Sequence, residues 1–236
     1  MSAAEPRDSG HWAENVVRLS VGDEVAKQGF AIAGKRLTGP QQGFGKLWQR
    51  AYWVDLGDAV APTDLVADWK ENFGSYWPKS GTFHASLTGV APGSVNPIAV
   101  GPGKGLLATG VLVLYADDEA FTFMTPEGHM FAGWITFSGV EADGGTRASI
   151  QILIRTNDPL YELSWPVLRK GEDVFWAATL RNLAAHHGVH DAPVESTTTC
   201  VDRRRLWHNW RNVRHNAGIR SFLHLLTTPL RALRHR

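Results

Sequence analysis

With Cys200 as its one cysteine in 236 residues, the chain has no intrachain disulfide. Its fold must rest on burial and hydrogen bonding rather than on covalent staples. Long apolar runs are also missing: the longest, 106–115, falls far short of the ~20 residues a spanning helix needs. Residues 1–12 are polar and contain no apolar signal region. The expectation is a cytoplasmic protein. GxSxG, HExxH, CxxC and dinucleotide fingerprints are absent, so the common hydrolase, zinc peptidase, thiol redox and nucleotide signatures do not apply. Gly101-Pro102-Gly103-Lys104-Gly105 lacks the GxxxxGK[ST] spacing and opens no helix, so it reads as a turn. No cofactor is expected.

Acid is scarce at one end only. Residues 203–236 hold nine arginines, no lysine and no Asp or Glu; the preceding 202 residues hold 15 basic and 23 acidic side chains, a net of −8. An acidic body thus carries a basic tail, which a whole-chain net charge of +1 conceals.

What is plentiful is aromatic: ten Trp, ten Phe and four Tyr. They fall in segments with strand spacing. The pattern predicts strands at 46–56, 82–90, 106–115, 120–124, 129–140 and 146–155, with a short extended piece near Ile98. Asp117-Asp118-Glu119, Thr125-Pro126-Glu127-Gly128 and Asp143-Gly144-Gly145 supply the turns. In the last strand Ile150, Ile152 and Ile154 alternate with Ser149, Gln151 and Arg155, so one face is buried and the other wet. Arg147 and Arg155 share the wet parity and are expected at the surface.

Helices are predicted at 14–19, after Pro62 with Thr63 as N-cap, and from Asp158-Pro159 onward. Pro166 is expected to break or kink the last of these, so that a second helix starts with acids near Glu172 and ends before Gly188. Trp176, Leu180, Leu183 and His187 form a single stripe on it. The division expected is an N-terminal extension (1–43), a domain (44–192) and a basic helical tail (193–236).

Strand, short helices, a run of antiparallel strands and a long closing helix: this order resembles the START-like, or helix-grip, superfamily. Phe123-Met124-Thr125-Pro126-Glu127-Gly128-His129, with Gly133 and Phe137, is similar to a bacterial family of unknown function within it. The resemblance implies an α+β fold, a curved antiparallel sheet around a long C-terminal helix, with an apolar cavity between them. It implies no single activity. Residues expected along such a cavity are Tyr115, Phe123, His129, Trp134, Phe137, Ile152, Phe175 and Trp176. Trp134 and Phe137 differ in parity, so both face inward only if the strand bulges.

His129, with Glu127 orienting it, is the one candidate acid–base group; the plainer alternative is a turn followed by a half-exposed strand residue. His186, His187, His190 and Asp191 have metal-ligand chemistry, but adjacent helical residues diverge by ~100°, so no metal site is expected. In the tail, Leu206, Trp210, Val213 and Ala217 form one apolar stripe, and Ile219, Phe222, Leu223, Leu226, Leu230 and Leu233 another. Such a basic amphipathic segment suits an anionic membrane, the protein's own acidic body or a second copy. Nucleic acid would use the arginines but not the leucines, which places it last. The expected function is non-catalytic binding or carriage of a hydrophobic small molecule or lipid, the alternative a cyclase- or hydrolase-type enzyme using the same cavity.

Overall fold

A computed structural model of the chain describes residues 9–14, 18–19, 30, 32–101, 107–142 and 144–219. Eight strands form one curved antiparallel sheet: β1 (Leu47–Gly57), β2 (Gly81–Phe83), β3 (Val95–Val100), β4 (Leu107–Ala116), β5 (Ala120–Met124), β6 (Phe131–Ala142), β7 (Gly145–Thr156) and β8 (Glu195–Asp202). Their order is β2-β3-β4-β5-β6-β7-β1-β8. Two α-helices, α1 (Pro62–Glu71) and α2 (Pro159–His186), cover its inner face. The architecture is the α+β helix grip.

The alternation in β7 sets the layers. Ala148, Ile150, Ile152 and Ile154 are buried inward, and the register places Ile150 opposite Tyr52 of β1 and Phe137 of β6. Leu180 and Leu183 of α2 meet this face fully buried, as the helical stripe requires. Leu65, Val66 and Trp69 of α1 fill the other end. Between the helices Phe73 presents its ring edge-on to Phe83, Phe121, Phe123 and Phe137, at centroid distances of 4.8–5.5 Å. Edge-to-face geometry aligns the positive ring rim with the negative ring face, adding to area burial.

Several expectations are corrected. Pro166 does not end a helix: α2 runs unbroken through it for 28 residues. Proline removes one backbone donor, at ~3 kcal/mol. Here Trp165 is buried against Phe131 and Trp48 on one side of it, and Leu168 packs on the core on the other; this packing outweighs the lost bond. Asp158 does cap α2, accepting from the N–H groups of Leu160 and Tyr161. The cap residue of α1 is Ala61, not Thr63, with Pro62 at the first turn. The expected strand at 82–90 stops at Phe83. Beyond it the Asn96 carboxamide accepts from Ser86 N–H, and the Ser86 and Ser94 hydroxyls both donate to the Gly89 carbonyl, which folds the segment into a loop. Residues 195–202, placed in a helical tail, are strand β8 paired with β1. Residues 15–17 of the expected 14–19 helix and residues 102–105 lie outside the described residues.

The outer face is not left to solvent. Leu19 and Ile32 pack there on Leu112. Around Arg155 the segments before β1 and after β8 close over the sheet. Gly43 lies so near that an added Cβ would sit 2.7 Å from the Arg155 Cβ, and one at Gly45 would sit 1.9 Å from Thr156 Oγ1. Leu206 N–H donates to the Phe44 carbonyl (2.7 Å), and Asn209, Asn212 and Asn216 donate to Gly43, Asn157 and Asp158. Arg155 has the parity read from the sequence, yet it is buried under this lid. Its guanidinium donates to the Gly45 and Arg204 carbonyls and to Asp202 (2.6, 2.8 and 2.7 Å). Arg147, at the uncovered end, remains near the surface and bonds Asp55.

Phe73→Ala is expected to lower the unfolding free energy by about 3–5 kcal/mol, measured by urea denaturation, because the surrounding rings cannot close the void together.

Candidate functional site

The inner face and α2 do not touch along their whole length. Between them is a cavity of about 540 Å³. Ile152 and Ile154 of β7 form one wall, and Leu168, Phe175 and Trp176 of α2 the opposite one. The β7 isoleucines and the Trp176 stripe therefore share a hollow.

Of the residues expected along it, Phe123, His129, Ile152, Phe175 and Trp176 do border the cavity. Trp134 borders it too, but its ring lies on the outer side beside Gly39. The β6–β7 register is unbroken, so no bulge reconciles Trp134 with Phe137, and Phe137 takes the inward position. Phe137 does not border the cavity; it packs against Trp69 and Phe121 and, behind the cavity wall, against Phe123 and Trp176. Tyr115 is not at the cavity. A bulge between Val113 and Tyr115 shifts the β4–β5 register, so Val113 pairs with inward Phe123 while Tyr115 pairs with outward Thr122. Its ring packs against that of Trp12 in a tilted arrangement, with centroids 4.7 Å apart, and its hydroxyl donates to Asp117.

His129 is buried. Its Nδ1 lies 3.0 Å from the Phe131 N–H nitrogen and 3.2 Å from the Phe131 carbonyl oxygen, so which of the two it bonds is set by the tautomer. Burial pushes its pKa down to about 4, opposed by the main chain of Phe131. The expected Glu127 partner is turned away: Arg36 Nε donates to it at 2.9 Å. The two do not form an acid–base pair. His186 and His187 instead approach Asp68 of α1 with Nε2 at 3.7 and 3.1 Å, and Tyr76 OH donates to the same carboxylate at 2.6 Å. This pins the end of α2 to α1. Among the described residues no three His, Cys, Asp or Glu side chains gather as metal ligands.

The polar centre of the site is one the sequence reading missed. Arg50 of β1 stands beside Ile152 on the inner face, fully buried. Its Nη1 donates to Glu172 and its Nη2 to Asp173, consecutive residues of α2; Nε reaches Thr198 Oγ1 at 3.4 Å. Tyr52 OH donates to Asp173 at 3.0 Å. The guanidinium lies 5.3 Å from the Tyr52 ring centroid and 5.7 Å from that of Trp165, a desolvated cation between aromatic rings. Glu172 alone of this group borders the cavity. One cation between two carboxylates leaves a net charge of −1, which burial penalises. Burial therefore raises the Glu172 carboxyl to about 7, opposed by Arg50 and by the Trp176 indole one turn on. Burial, with Glu172 next, likewise raises the Tyr52 phenol. The available signal was parity, since Arg50 alternates in phase with Tyr52, Val54 and Leu56, all buried.

No protein-family model matches the chain, and no curated protein matches it. Solved structures do. Protein Ms6760 from Mycobacterium smegmatis is 16% identical, with 58% of this chain and 89% of that one covered and a TM-score of 0.43. The di-domain ARO/CYC StfQ of the steffimycin biosynthetic pathway is 8% identical, with 61% and 51% covered and a TM-score of 0.46. Ara h 8.0201 is 12% identical, with 59% and 97% covered and a TM-score of 0.40. The helix-grip fold itself is read from the strand order and the closing helix.

Because His129 is held neutral, protonating it opposes the fold. The stability it confers is present above its unfolded pKa of 6.5 and is lost as pH falls toward about 4. Urea titrations should show wild type losing about 3 kcal/mol relative to His129→Gln over that window.

Proposed function

We propose that this protein binds and carries one hydrophobic small molecule in the cavity between sheet and α2, without chemical conversion. The observation that supports this is the cavity itself: about 540 Å³ of space beside isoleucine, leucine and aromatic side chains. Burying ~300 Å² of apolar ligand surface at ~25 cal/mol per Å² yields about 7.5 kcal/mol, which before ordering costs are subtracted is the scale of a Kd of a few micromolar. Among the described residues no carboxylate bonds the His129 ring, which counts against acid–base catalysis by that residue.

The second part of the reading concerns the basic tail. Its first stretch folds back on the body as a 3₁₀ segment, Trp207–His215, and Ala217 N–H donates to the Gly128 carbonyl. Trp207 remains 68% exposed and Trp210 47%. Leu160, Leu163 and Val167, exposed along one side of α2, lie on the element that Arg205 joins through Glu162. Exposed Trp and Leu flanked by Arg203, Arg211 and Arg214 suit the headgroup region of an anionic bilayer, where each arginine contributes ~1 kcal/mol. Among the described residues no helix is long and apolar enough to cross a membrane. The second apolar stripe, from Phe222 to Leu233, lies outside the described residues.

Gly171 borders the cavity, and a Cβ there would meet nothing within 4 Å. Gly171→Phe should fill the cavity while improving helix propensity. Displacement of an apolar fluorophore should read at least tenfold weaker binding, with unfolding midpoints unchanged or higher; undiminished binding would remove the cavity from the argument. For the membrane, flotation with vesicles containing phosphatidylserine should recover wild type. The Trp207→Ser/Trp210→Ser variant should float several-fold less, as should wild type at high salt.

A further inference from the structure

The cavity reaches the surface beside α2, where Val167 lines it and is 74% exposed. The turn between β5 and β6 contributes His129 and Met130 to the same lining. α2 is pinned at its middle by Arg50 and at its C-terminal end by Asp68. Its N-terminal end is joined to the β5–β6 turn through Asn157, whose carboxamide donates to the His129 carbonyl and whose N–H donates to the Met130 carbonyl, both at 2.9 Å. A segment from the far end of the chain, 212–218, is bonded across this junction. Asn212 Nδ2 donates to the Asn157 carbonyl at 2.9 Å. Asn216 Nδ2 donates to Asp158 Oδ2 at 2.8 Å, while Oδ1 of the same carboxylate caps α2. Gly218 N–H donates to the Tyr161 hydroxyl at 3.0 Å, and Ala217 N–H to the Gly128 carbonyl at 2.9 Å. The segment thus grips the β5–β6 turn and the first turn of α2 at once. It fits closely: a Cβ at Gly128 would lie 2.1 Å from the His215 carbonyl oxygen.

We infer that residues 212–218 are a strap that gates the cavity, holding the β5–β6 turn against α2 so that a guest enters or leaves when the strap loosens and the two part beside Val167. This rests on the cavity-binding reading. With α2 fixed at its middle and C-terminal end, the turn and the N-terminal end of the helix are the parts of the wall left to move. No residue of the strap lines the cavity. It therefore sets how fast a guest exchanges and not how tightly the guest is held: kon and koff move together and Kd stays.

The test uses the full chain and the neutral fluorophore N-phenyl-1-naphthylamine, which accepts energy from tryptophan. Trp77 and Trp176 border the cavity, so energy transfer reports occupancy. Stopped-flow mixing gives kon, and a chase with methyl-β-cyclodextrin gives koff. Gly128→Ala pushes the His215 carbonyl away, and Asn216→Ala removes the bond to Asp158. Each is expected to raise kon and koff by about fivefold, the scale of one lost hydrogen bond, with Kd changed by less than about twofold. Gly93→Ala is the control for backbone strain: its φ of 84° is close to the 90° of Gly128, but a Cβ there meets nothing within 4 Å. It should exchange like wild type. Unchanged rates in both strap variants, a rise in koff alone with a weaker Kd, or faster exchange in Gly93→Ala overturns the gate while leaving cavity binding intact. No fluorophore binding by wild type overturns both.

Discussion

Arg50 joins the sheet to the long helix by burying a full positive charge at the base of a hydrophobic layer. Removing a guanidinium from water is expensive, and the cost is met only when its donors are fully engaged. Glu172, Asp173 and Thr198 engage all three nitrogens from α2 and β8. The pairing therefore fixes how α2 lies along β1. With the helix held by this contact in its middle and by Asp68 at its C-terminal end, the stretch carrying Leu168, Phe175 and Trp176 spans the inner face without collapsing onto it. The cavity persists because its two walls are held at fixed points outside it. Of the residues in this contact, Glu172 is the one that borders the cavity.

Much of this plan is legible in the sequence. The isoleucine alternation of β7 and the Asp158-Pro159 helix start are local signals, each written in a few consecutive residues, and each appears as read. What failed was non-local. Pro166 reads as a break because propensity does not include Trp165 and Leu168 anchoring the helix on both sides. That error carried a second: with a helix starting near residue 172, Glu172 and Asp173 looked like ordinary first-turn acids, whereas they are mid-helix ligands of Arg50. Tyr115 was misplaced by a bulge that nothing in the Leu-Val-Leu-Tyr run announces.

Arg155 and β8 share one explanation. Parity correctly assigned Arg155 to the outer face, but a face is wet only if nothing covers it. The cover comes from residues more than a hundred positions before it and about fifty after it, assembled around Gly43 and Gly45, where any side chain would collide. The three-threonine run ending in Cys200 and Val201 was a β-branched signal, overshadowed by the arginines that follow it.

The strand order also bears on how the chain is made. β1 lies between β7 and β8, both encoded far downstream. The first strand to leave the ribosome is thus the last to gain both neighbours, after about 145 further residues, or roughly 10–30 s of translation. Until β7 is complete, about 99 residues after β1, Trp48, Tyr52 and Trp53 have no strand to pair with, and the emerging polypeptide carries an unpaired aromatic ribbon of the kind that chaperones recognise.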